Sequence, residues 1–109
     1  MRPFEVRMTA DAVRDLEDIV DWIERHDGPD RAQHVLERIR AAVDSLKRFP
    51  ERGPHPAELV ALGIREYRET FFKPYRIIYG VEGKQATVHL IADGRRDMQS
   101  LLARRLLAG

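Results

Sequence analysis

The chain has no cysteine. That single absence removes a disulfide scaffold, a thiolate zinc site and a cysteine nucleophile, and it accords with a reducing compartment. Serine is nearly absent as well: Ser45 and Ser100 are the only two, and neither lies in a G-x-S-x-G elbow. No G-x-x-x-x-G-K-S/T or G-x-G-x-x-G phosphate loop is present, so nucleotide hydrolysis lacks its cradle. The four histidines, His26, His34, His55 and His89, share no ligand spacing with one another or with paired carboxylates. No metal and no cofactor is therefore expected. Long apolar runs are missing too, which argues against a membrane span. The first residues, Met1 to Val6, lack the apolar stretch of a signal peptide. These absences together predict a cytoplasmic protein with no membrane partner.

What is present is the composition of an ordinary globular domain: 109 residues, 43% hydrophobic and 34% charged. That length gives room for one hydrophobic core, so residues 1–109 are expected to form a single domain. The net charge of +1 conceals an asymmetry. Residues 1–63 carry 10 Lys/Arg and 13 Asp/Glu, whereas residues 64–109 carry 9 and 5. A basic C-terminal half is a candidate footprint for nucleic acid, the bland alternative being a mixed, solvated surface.

Residues 2–8 alternate, with Phe4, Val6 and Met8 against Glu5 and Arg7, and predict a first strand. Thr9 is placed to cap a helix whose stripe is Ala12, Leu16, Ile19, Val20 and Ile23. His26-Asp27-Gly28 ends it, and Pro29 starts a second helix in the first turn, where a missing N–H costs nothing. Ala32, Val35, Leu36, Ile39, Ala42, Val43 and Leu46 form the second stripe. So short a link predicts an antiparallel helical hairpin, which needs a sheet to pack on. Residues 50–63 read as a Pro/Gly loop with one helical turn over 57–62. Strands are predicted over Ile64–Phe72, Tyr75–Val81 and Gln85–Ala92, the last two joined at Glu82-Gly83-Lys84. In the last strand Ala86, Val88 and Leu90 are expected on the face opposite Thr87, His89 and Ile91. Asp97 caps a final helix with Met98, Leu101, Leu102 and Leu106 along its apolar edge. The fold class is α+β, in the order β-α-α-β-β-β-α, with an antiparallel sheet packed on a helical hairpin.

The chemistry-bearing residues of the basic half are arginines among aromatics. Arg65, Arg68, Arg76, Arg95 and Arg96 interleave with Tyr67, Phe71, Phe72, Tyr75 and Tyr79. Guanidinium forks suit phosphate or carboxylate, and tyrosine stacks on bases. Arg76 is the most informative of them, because it stands mid-strand in a strand expected to be central. A charge there needs either a ligand or an ion pair, with Glu66, Glu69 and Asp93 as the available partners.

In this order the segments Gly63-Ile64-Arg65-Glu66, Pro74-Tyr75-Arg76-Ile77-Ile78-Tyr79 and Asp93-Gly94-Arg95-Arg96-Asp97 make the chain resemble the RelE/ParE superfamily of type II toxins. The resemblance covers nearly the whole chain. It implies a cognate antitoxin and one of two targets: the ribosome and its mRNA for RelE-like members, DNA gyrase for ParE-like ones. RelE-like cleavage is metal-independent, with the ribose 2′-hydroxyl attacking its own phosphate. Of the set that family uses, Arg76 and Arg96 match arginine positions, with His89 as an additional candidate. The lysine positions fall near Tyr67 and Glu69, and the C-terminal tyrosine position near Leu102. A glutamate in place of a cation opposes phosphate binding, so the resemblance favours the ParE-like branch, which is not itself an enzyme. It implies Arg65, Arg68, Tyr75, Arg76, Arg95 and Arg96 as target- or nucleic-acid-binding residues. Val13, Trp22, Met98 and Leu102 are candidates for antitoxin contact, and an acidic antitoxin tail would suit the arginine-rich sheet. A toxin dimer, a heterotetramer with antitoxin and a non-toxic binding module of the same fold all remain open at this stage.

Overall fold

A computed structural model describes residues 3–107. Its elements are β1 (Glu5–Met8), α1 (Ala10–Asp27), α2 (Pro29–Asp44), α3 (Ala57–Val60), β2 (Tyr67–Phe72), β3 (Tyr75–Glu82), β4 (Gln85–Asp93) and α4 (Met98–Leu102). A 3-10 turn, Ser45–Lys47, extends α2, and a π turn, Ala103–Leu107, extends α4. The element order is the one the patterning predicts. Local chemistry sets the boundaries. The Thr9 hydroxyl accepts from the Ala12 amide at the start of α1, and Asp97 accepts from the Ser100 amide at the start of α4. Gly28, at φ 94, separates the hairpin helices in a conformation that side chains resist.

The sheet order is β1-β4-β3-β2. β2, β3 and β4 form the antiparallel meander, and β1 joins the far side parallel to β4. The central strands are β3 and β4, as their two apolar faces require. The α1–α2 hairpin covers one face, where Leu16, Ile23, Val35 and Ile39 meet Ile77, Tyr79, Val88 and Ile91. The opposite face holds Ile78, Leu90 and Ala92 beneath Leu59 of α3 and Met98, Leu101 and Leu102 of α4. Each fully buried aliphatic side chain contributes about 1.5–3 kcal/mol relative to exposure.

Two expectations are corrected here. Val88 and Leu90 lie on opposite faces, because Ile78 pairs with Leu90 while Tyr79 pairs with Val88. His89 is thus the extra residue of a β-bulge, and the period-2 pattern flips across it. Met98 and Leu102, expected to meet an antitoxin, are buried in the second core cluster and present no surface.

β1 pairs with β4 only as far as Met8 and Val88, so the edge of β4 beyond Val88 needs other partners. Side chains supply them. The Asp15 carboxylate accepts from the Ile91 amide at 3.1 Å, and Arg105 donates to the His89 carbonyl at 3.2 Å. Asp15 and Arg105 also pair with each other through two bonds of 2.9 and 3.0 Å. This ion pair ties the C-terminal turn to α1 and finishes the sheet.

Candidate functional site

Arg76 extends from β3 toward the α3/α4 face. Its Nε donates to Glu69 Oε1 at 2.7 Å, and its Nη1 and Nη2 donate to the two oxygens of Glu58 at 2.7 and 2.8 Å. Its side chain is only 15% exposed, and those of Glu69 and Glu58 are 7% and 24% exposed. The guanidinium holds the Glu58 carboxyl below its ordinary range, and the two carboxylates push the arginine's own pKa up. One cation between two carboxylates leaves a local charge of −1. Of the two roles open to this mid-strand charge, a ligand or an ion pair, the guanidinium takes the ion pair and is internally neutralised. Of the partners considered, Glu69 is used and Glu66 is not, whereas Asp93 pairs with Arg95. Glu58, on a four-residue helix, was not foreseen.

The same region explains the glycine of Asp93-Gly94-Arg95-Arg96. A Cβ on Gly94 would stand 2.7 Å from Cδ of Arg76. The two motifs are thus packed on each other. Tyr79 has a similar role: its hydroxyl donates to the Pro50 carbonyl at 2.7 Å, and its ring is fully buried. Arg68 donates to the Gly53 carbonyl at 2.8 Å, and His55 Nδ1 bonds to the Tyr67 carbonyl at 2.9 Å. These contacts strap the loop after α2 to the edge of β2.

A recess of about 340 Å³ does bring several candidates together. Asp15, Asp18, Ile19 and Trp22 line one wall, at the three- and four-residue spacing of a single face of α1. Tyr75, at the start of β3, Ile91 at the floor, and Asp93, Arg95 and Arg96 form the other. Trp22 is 53% exposed and stacks on His26, with ring centroids 4.0 Å apart. Burial raises the Tyr75 pKa, with Asp93 adding to the shift. Arg95 is clamped by Asp93, whose carboxyl is held low in return. Arg96 is exposed and has no ion-pair partner among the described residues. Aromatic and guanidinium groups sharing one recess are the composition of an interface hot spot. The proximity of Trp22 to Tyr75 and Arg96 is a tertiary fact.

The remaining candidates lie elsewhere. Arg65 is exposed ahead of β2, and neither it nor Arg68 lines the recess. His89 meets Tyr67 edge-on at 5.5 Å, and burial lowers its pKa. Val13 is exposed on α1 and lines a second, larger groove between α1, α2 and β1. Among the described residues no group of three or more His, Asp or Glu side chains is arranged to hold a metal ion, and no helix is long and apolar enough to cross a membrane.

Residues 6–99 match the family described as the ParE toxin of type II toxin–antitoxin systems, parDE. The chain belongs to the ParE toxin family. A curated relative, named "Putative toxin Y4kP", of Sinorhizobium fredii (strain NBRC 101917 / NGR234), is 38% identical over 82 residues, covering 71% of this chain and 79% of the relative. The fold is shared with two solved structures. One, described as a chromosomal ParDE toxin–antitoxin system of P. aeruginosa, superposes with a TM-score of 0.70 at 22% identity over 83% of this chain and 95% of that one. The other, the toxin–antitoxin complex RelBE2 of Mycobacterium tuberculosis, gives 0.60 at 20% identity over 84% and 98%. The α+β architecture of this ParE-family toxin is therefore that of the RelE/ParE superfamily.

Proposed function

We propose that this ParE-family toxin acts in the cytoplasm on DNA gyrase, is neutralised by a cognate antitoxin, and does not cleave mRNA. The observation that carries this reading is the neutralisation of Arg76. Transesterification at a phosphodiester needs cations aimed at the crowded phosphate, a base for the 2′-hydroxyl and an acid for the leaving oxygen. Here the mid-sheet guanidinium is bound by Glu58 and Glu69, which together carry more charge than it does. His89, the remaining acid–base candidate, does not line the recess that holds Arg96. Trp22, Tyr75, Arg95 and Arg96 support contact with a macromolecule instead, and we assign target binding to that recess.

The test uses purified protein in two assays: gyrase supercoiling and ribosome-dependent mRNA cleavage. The expected outcome is inhibition of supercoiling, weakened at least tenfold by Arg96→Ala, with no cleavage. Cleavage that disappears in Arg96→Ala, with gyrase unaffected, would reverse the choice. Induced expression in a bacterial host is expected to arrest growth. Continued growth of cells holding soluble, folded protein would leave a non-toxic binding module instead.

A further inference from the structure

Cations without ion-pair partners gather along one edge of the sheet. Arg31, His34 and Arg38 stand three and four residues apart and so share one face of α2, beside the edge strand β2. All three are exposed. They meet β2 at Phe72: the His34 ring packs edge-on at 6.1 Å, and the Arg38 guanidinium lies 5.5 Å from the ring centroid. Lys73 follows at the turn and is exposed. Arg68 stands four residues back from Phe72, on the same face of β2, and donates to the Gly53 carbonyl, which leaves its charge uncompensated. Among the described residues none of Arg31, Arg38, Arg68 and Lys73 is paired with a carboxylate.

Two of the nearby carboxylates point elsewhere. Glu69 lies on the other face of β2, bound by Arg76. Glu37 lines the groove on the opposite flank of α2 and is held by Gln33. Asp27 and Asp30 stay at one end, near the start of α2. Burial dominates the raised pKa of Tyr75, but Arg95 and Arg31 are both close enough to pull against it, so the strip continues into the recess that holds Arg95 and Arg96. Arg31 and Arg38 are about 10 Å apart along the helix axis, at 1.5 Å per residue. Phe72 is already covered by His34 and Arg38, so these residues offer no bare apolar anchor of the kind a docked peptide uses. A row of like charges without an anchor suits a polymer with a regularly repeated anion.

We infer that the α2–β2 edge holds the phosphate backbone of duplex DNA through Arg31, Arg38, Arg68 and Lys73. The identity of the polymer rests on the gyrase reading, since that enzyme works on duplex DNA. The recess then engages the protein, and the strip beside it engages the DNA. Contacts to phosphate carry no base sequence, so binding here is independent of sequence and strongly dependent on salt. Each duplex phosphate neutralised contributes about −0.9 to the slope of log affinity against log salt, and four contacts give about −3.6.

The test is the affinity of the purified toxin for a short DNA duplex of mixed sequence, followed by fluorescence anisotropy over a range of salt concentrations with no gyrase present. Arg31→Gln/Arg38→Gln is expected to weaken binding roughly tenfold or more at low salt and to make the slope shallower by about 1.8. Arg31→Gln/Lys73→Gln leaves Arg38 on Phe72 and is expected to do the same, with urea denaturation verifying that each variant is folded. Arg40→Gln/Arg104→Gln removes as many exposed cations away from the strip and is expected to keep the wild-type slope. No duplex binding at low salt, a slope unchanged in both strip variants, or an equal change in the control overturns the inference. Strip variants that lose affinity for the antitoxin while duplex affinity is unchanged also overturn it, and give the edge to an acidic antitoxin segment. The gyrase reading fails separately: strip-dependent duplex binding without inhibition of supercoiling refutes that target and leaves the DNA contact standing.

Discussion

Removing the Arg76 side chain should cost far more stability than removing any exposed arginine. In Arg76→Ala the Glu58 and Glu69 carboxylates lose the cation that separates them. Glu58, on the outer side, has enough exposure to turn toward water. Glu69, with 7% of its side chain exposed and strands on both sides of its register partner Ile78, does not. Breaking a buried ion pair from one side costs about 3–5 kcal/mol, because a charge is left without a partner. Partial rescue of Glu58 by solvent places the loss near the lower end, about 3 kcal/mol. With an m-value on the order of 1.5 kcal/mol/M, the urea midpoint should fall by about 2 M. Melting should drop by roughly 12–20 °C for a domain of this size.

The controls decide between a latch and a displayed cation. Arg96→Ala should stay within about 0.5 kcal/mol of wild type, as an exposed residue does. Replacing the cluster together, as Arg76→Met with Glu58→Gln and Glu69→Leu, should recover most of the loss, since apolar substitutes for a buried ion cluster are often neutral. Equilibrium urea denaturation followed by circular dichroism measures all three. A loss below about 1 kcal/mol in Arg76→Ala would show that the guanidinium is not the latch, and the argument against the nuclease reading would go with it.

Tyr79→Phe removes a buried hydroxyl from the Pro50 carbonyl and should cost about 1–2 kcal/mol, measured the same way. An unchanged midpoint would mean that the loop after α2 is not strapped by that bond. His89 predicts a pH effect of definite sign. Burial lowers its pKa below the ordinary 6.5, so the unfolded chain takes up a proton that the folded chain refuses. Stability is then full above about 6.5 and declines as pH falls below it, until the folded pKa is reached. His89→Gln should remove that slope, and parallel pH dependences for variant and wild type would refute the assignment.

Most of the architecture was legible because it is locally encoded. Thr9, Gly28-Pro29 and Asp97 act on backbone groups within a few residues, and the stripes of α1 and α2 are properties of single helices. What failed to be read is what depends on two distant segments at once. The bulge at His89 inserts a residue against β3, and no pattern internal to β4 announces it. The apolar edge of Met98 and Leu102 marks a face that must be buried without saying by what, and the answer is the far side of the sheet. Glu58 is 18 residues from Arg76, on a short helix whose placement only the folded chain defines.

The segments that make the family recognisable turn out to hold one another in place. The stem of Arg76 lies on Gly94, Tyr79 secures the loop after α2, Asp93 clamps Arg95, and Asp97 starts the helix whose leucines close the second core. In this chain these side chains serve the frame. The groups left over for partners include Trp22, Arg96 and the exposed Val13. They lie on the helical hairpin and at one loop, where changing a side chain disturbs no interlocked pair. A frame of this kind permits target and antitoxin specificity to change while the recognition signature stays fixed. Family membership therefore carries the fold to this chain with force, whereas its target has to be read from the few side chains that the frame does not use.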